Sequence, residues 1–94
     1  MFLANTDLKD SILIEANLTG AKMTKANLQN CILVNANLTG ADLSGANFAG
    51  ANFTGAHFDQ ANLTGASLDG SNFTGADLAE ALFENVPPRL KKTS

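Results

Sequence analysis

Residues 11–20 read SILIEANLTG, and residues 31–40 read CILVNANLTG. Within each copy two leucines stand five positions apart, Leu13 and Leu18 in the first, Leu33 and Leu38 in the second. That spacing runs through the chain: a large apolar residue recurs at every fifth position from Leu3 through Met23, Phe48 and Phe53 to Phe83, without an insertion. Two positions before each comes a small residue, mostly alanine, the exceptions being Met1, Thr6, Ser11, Cys31 and Ser71. Two positions after each comes Gly, Asn or Asp in most repeats, and all 8 glycines fall in that slot.

A period of five fits neither regular element. On an α-helix successive apolar centres would rotate by about 140° and leave no apolar face. On a flat strand an odd period would send alternate centres to opposite faces. The chain must therefore turn at every repeat, and the glycine slot supports this. A type II turn needs positive φ at its third residue, where Gly is easiest and Asn or Asp next. Glu15, Lys25, Gln60 and Glu80 do not suit that slot, so a different turn is expected at those four corners. The twenty-residue echo then sets the coil: four five-residue sides make a square. The same offset relates ANFTGA (51–56) to SNFTGA (71–76). Coils stacked at the strand spacing of about 4.8 Å would make a rod roughly 20 Å long.

In such a coil each centre points inward and stacks on the centre twenty residues away. Leu13, Leu33, Phe53 and Phe73 form one column; Leu18, Leu38, Phe58 and Leu78 form another. The alanines point inward too, where only a small side chain leaves room. Phe48, Phe53 and Phe58 share one level, which is expected to be the best-packed slice. The flanking Asn and Thr residues point outward and stack, Asn17 under Asn37 and Thr54 under Thr74, in ladders expected to hydrogen-bond between coils.

Composition narrows the function. The chain has 94 residues, enough for one small domain. Its formal net charge is −3. Residues 1–86 carry three lysines against nine carboxylates, a net of −6, and the last residues add Arg89, Lys91 and Lys92. This argues against direct nucleic-acid binding through a basic surface. A single cysteine cannot form an internal disulfide. There is no leader-like N-terminus and no apolar run near the ~18 residues of a membrane span, so a soluble, cytoplasmic protein without membrane contact is expected.

ANLTG at 16–20, 36–40 and 61–65, ADLSG at 41–45 and ANFTG at 51–55 closely resemble the consensus of the pentapeptide repeat family. The resemblance covers residues 1–86. It implies an all-β fold, a right-handed quadrilateral β-helix of about four coils, and it supplies the handedness. Residues 87–94, opened by Pro87-Pro88, are expected to form a non-repeat tail. The family is abundant in cyanobacteria, and most members have no known biochemical activity. A few bacterial members bind DNA gyrase as dimeric mimics of duplex DNA. This chain is shorter than those and shows no clear C-terminal helix for pairing. Duplex DNA carries one charge per ~1.7 Å, so a 20 Å rod would need about 12 well-ordered negative charges. The carboxylates here are fewer and scattered, which makes a topoisomerase-directed mimic the second reading only.

No residue set suggests catalysis. The glycines obey the repeat and form no phosphate loop. Cys31 sits in an inward small-residue slot, as a buried, inert thiol would. His57 points outward beside Asn37 and Asp77 without the further His or Cys ligands a zinc site needs. No cofactor, metal or small-molecule substrate is expected. One outward feature breaks the polar pattern: Ile12, Ile14, Ile32 and Val34 cluster on one side of two adjacent coils. A clustered apolar patch reads as a contact surface, most simply for a homodimer, otherwise for another protein. Met1 and Phe2 are the second candidates, as residues that shield the first coil or meet a second copy there.

Overall fold

Each repeat turns the chain through one corner. The carbonyl of an apolar centre accepts a hydrogen bond from the amide three residues on, as Leu13 does from Ala16 at 3.1 Å and Phe53 from Ala56 at 2.9 Å. The second residue inside the turn has positive φ, which makes the turn type II. The glycines take φ between 69° and 75°, and Asn5, Asp10, Asn30 and Asn35 take φ of 60–66°.

Three of the four ill-suited corners adopt the same turn, contrary to the sequence expectation. Glu15, Lys25 and Gln60 have φ of 59°, 59° and 60°. Pairing between coils explains why. The Glu15 amide donates to the Val34 carbonyl at 2.9 Å, and the Lys25 amide to Ser44 at 3.0 Å. These bonds fix the corner peptide and offset the roughly 1–2 kcal/mol that a left-handed side-chain residue costs. Only Glu80 departs, since it is not among the left-handed residues. There the Gln60 amide donates to the Glu80 carbonyl at 3.2 Å, whereas the Gly55 amide donates to Thr74, the residue before its corner, at 2.9 Å.

The computed structural model describes residues 2–82. Among them every β-bridge is parallel and joins residue i to residue i+20, from Phe2↔Lys22 to Asn62↔Leu82. The coil is therefore square, and the architecture is a right-handed quadrilateral β-helix. The four walls carry the centres in turn: the first Leu3, Met23, Leu43 and Leu63; the second Leu8, Leu28, Phe48 and Leu68; the third Leu13, Leu33, Phe53 and Phe73; the fourth Leu18, Leu38, Phe58 and Leu78. The expected boundary at residues 86 and 87, and the tail beyond it, lie outside the described residues.

The core is the column of centres and small residues. Every centre from Leu18 to Leu68 is buried, together with Cys31 and the alanines of the small-residue slot from Ala21 to Ala66. Leu3, Leu8 and Leu13 in the first coil and Phe73 and Leu78 in the fourth are partly buried. The three-phenylalanine level is packed as expected. Phe53 meets Phe48 edge-on at 4.9 Å and Phe58 edge-on at 5.1 Å, and stacks on Phe73 of the next coil at 4.9 Å with 19° between the planes. These geometries suit the ring quadrupoles.

Candidate interaction surface

Stacking of the outward side chains follows the bridges, but their hydrogen bonds do not run between coils. The Asn52 Oδ1 accepts from the Thr54 amide at 3.1 Å and from the Thr54 hydroxyl at 2.6 Å. Asn37 with Thr39 and Asn72 with Thr74 do the same. The expected inter-coil ladder is thus replaced by a bond within each repeat. A short carboxamide reaches the amide two residues on, and the main chain already ties the coils together. Asp42 accepts from Ser44 in the same way, at 2.7 Å from its hydroxyl and 3.1 Å from its amide. The Ser44 hydroxyl above all, then its amide and the Lys22 charge, lower the Asp42 pKa, against the opposing effect of partial burial.

The third wall holds the predicted patch. Ile12 is 70% exposed and Ile14 52% exposed, while Ile32 and Val34 are half-buried beside them in the next coil. Ile12 and Ile32 are bridged, so the four form one continuous surface. Further along, the wall presents Asn52, Thr54, Asn72 and Thr74. It therefore carries no ionisable side chain at its outward wall positions in any of the four coils. The other walls each carry some: Lys22 and Asp42 on the first, Asp7, Lys9 and Asp69 on the second, His57, Asp59 and Asp77 on the fourth. The uncharged run beyond the isoleucines is readable only after the twenty-residue fold has been laid out, since these residues are far apart in the chain.

Phe2 is placed on the first wall, 86% exposed and bridged to Lys22. It leaves most of its surface in solvent. Met1 lies outside the described residues, as does Phe83. Leu82 is an exposed apolar residue at the far end of the first wall, 59% exposed. The signal for it was its place in a slot that in most repeats holds Asn or Asp.

The remaining candidates are structural. Cys31 is fully buried, and its Sγ donates to the Leu8 carbonyl at 2.8 Å. Burial pushes its thiol pKa up, which disfavours the reactive thiolate. His57 is exposed between Asn37 and Asp77. Among the described residues no group of three or more His, Cys, Asp or Glu could hold a metal ion, and no helix is long and apolar enough to cross a membrane.

The comparisons agree with this geometry. The family model described as pentapeptide repeats matches in 8 copies, spread over residues 3–40, 23–60, 31–70 and 46–85. A pentapeptide repeat protein from Nostoc Pcc 7120 aligns with a TM-score of 0.78 at 30% identity, over 89% of this chain and 75% of that one. A pentapeptide repeat protein from the cyanobacterium Cyanothece 51142 aligns at 0.59 and 34% identity, over 88% of this chain and 60% of that one. A third, from the Arabidopsis thaliana thylakoid lumen, aligns at 0.53 and 38% identity, over 89% of this chain and 62% of that one. The chain thus spans less than two thirds of the length of the latter two. No relative among curated proteins matches it. Repeat spacing, square coil and these matches together show that the chain belongs to the pentapeptide repeat family.

Proposed function

We propose that this chain is a noncatalytic protein-interaction module that associates with itself through its third wall. The observation that carries the reading is the continuous surface of Ile12, Ile14, Ile32 and Val34, whereas the other exposed large apolar residues, Phe2 and Leu82, stand singly at the two ends of the first wall. Exposed apolar side chains gathered in one place gain by being covered, at about 25 cal/mol per Å² removed from water. The test is multi-angle light scattering on the parent chain and on Ile12→Asp/Ile32→Asp. The parent is expected to be dimeric at tens of micromolar and the variant monomeric, with an unchanged circular dichroism spectrum. A monomeric parent refutes the reading. Topoisomerase binding by DNA mimicry has weaker support, because acidic residues are absent from the third wall and lie among lysines on the first and second. Inhibition of gyrase supercoiling at high micromolar protein would revive it.

A further inference from the structure

We infer that the self-association is a parallel, side-by-side dimer, with the third walls of two copies facing each other coil for coil along a two-fold axis parallel to the rods. The inference rests on self-association through the third wall and goes on to its geometry. It starts from area. A stable interface of standard size buries about 800 Å² per partner, about a sixth of the 4866 Å² that the chain exposes. A square rod has four walls and two ends, so that requirement amounts to one whole wall. The isoleucine patch covers two coils, half a wall, and is too small alone. The interface must also take in Asn52, Thr54, Asn72 and Thr74.

Symmetry then decides the direction. Two copies of one wall can face each other about an axis across the rods or along them. An axis across the rods makes them antiparallel. With the whole wall covered, Ile12 and Ile14 then lie on the Asn72 and Thr74 level of the other copy, burying polar groups against isoleucine. Patch meets patch in that arrangement only if the rods overlap by half, which forfeits the area. An axis along the rods sets each coil against its own copy. Ile12 then faces Ile14 of the other copy, and the whole wall is covered.

Hydrogen bonding favours the same arrangement. The Asn72 Oδ1 and the Thr74 hydroxyl hydrogen are used within the repeat, at 2.6 Å. What remains outward is the Asn72 amide, two donors, and the Thr74 oxygen lone pairs, an acceptor. The axis along the rods brings each Asn72 opposite Thr74 of the other copy, donor to acceptor, twice by symmetry. Asn52 and Thr54 repeat the match one coil lower. No ionisable group stands at the outward wall positions, so like charges meet only at the rim of the first coil, where Asp10 of one copy lies beside Glu15 of the other. The second and fourth walls would bring carboxylates such as Asp69 or Asp59 and Asp77 together.

The test is crosslinking with a short bismaleimide in a Cys31→Ala background, Ala being the residue at the same slot in Ala51. Strands advance ~3.3 Å per residue and faces pack ~10 Å apart, so Thr74 Cα atoms stand about 12 Å apart in the parallel dimer. In the half-overlapped antiparallel dimer they are at least about 24 Å apart, five coil spacings. Ile14 positions come within reach in both. Crosslinking of both Ile14→Cys and Thr74→Cys, with none for Thr64→Cys on the opposite wall, is the expected result. Crosslinking of Ile14→Cys alone overturns the parallel arrangement and leaves self-association standing. Equal crosslinking at Thr64→Cys shows random collision and overturns it as well. A monomeric parent in light scattering removes the self-association on which it rests. As a second measure, Asn72→Asp should weaken dimerisation about tenfold, by replacing a donor with an acceptor opposite Thr74. Asp42 shows that the aspartate keeps the local turn bonds. An unchanged dissociation constant would contradict the parallel pairing.

Discussion

Asn35 and Gly55 show how closely the corners of successive coils fit. A Cβ at Gly55 would collide with the Asn35 Oδ1, and one at Gly50 with the Asn30 Oδ1. At Gly40 a Cβ would meet nothing within 4 Å. Both Gly55 and Gly40 have φ near 70°, so alanine costs roughly 1–2 kcal/mol at either on conformation alone. The Asn35 side chain is exposed and free to swing aside, so Gly55→Ala is expected to destabilise the fold only slightly more than Gly40→Ala, and adding Asn35→Ala should recover that small excess. Urea unfolding of the three variants checks this; equal losses would show that the contact is unimportant. Asp42 offers a pH handle. Its pKa is lowered in the fold, so it stabilises above the unfolded carboxylate value of about 3.9. That contribution is lost as pH falls from there through the lower folded value. Asp42→Asn should flatten the stability profile below about pH 4 without altering the corner, and acid titration followed by circular dichroism reads the difference.

A coil is held by main-chain pairing on four sides and by whatever fills its centre. Phe53 is fully buried and touches rings on its own level and on the next, so it connects two coils. Phe53→Ala should cost roughly 3–5 kcal/mol, and Leu13→Ala, partly buried in the first coil, clearly less. Thermal unfolding that ranks them the other way would mean the core is not organised around the phenylalanine level. The centres, the small-residue slots and the glycine corners were all legible in the sequence, because a strict period leaves each position one direction to point. The turns at Glu15, Lys25 and Gln60 were not. Local preference opposes positive φ at those residues, and bonds to residues about twenty positions away override it. The direction of the asparagine bonds was also hidden, since stacking and bonding need not coincide.

For the molecule as a whole, the proposed interface is uncharged at its outward wall positions, with Asp10 and Glu15 at its rim, while the chain carries a formal charge of −3. Two such molecules repel weakly at long range, and added salt screens that repulsion without breaking any interfacial ion pair. Dimerisation should accordingly tighten modestly between low and moderate sodium chloride, as measured by sedimentation equilibrium. Weakening would point to charged contacts and away from the third wall. By itself the sequence determined the square coil, the inward column and the position of the isoleucine patch, because each follows from a period of five nested in one of twenty. Only the tertiary structure decided which corners tolerate strain, where the outward polar groups spend their hydrogen bonds, and how exposed Ile12, Ile14 and Phe2 are. Those depend on atoms brought together across coils, and no local spacing encodes which of two competing partners a buried amide or a short carboxamide will choose.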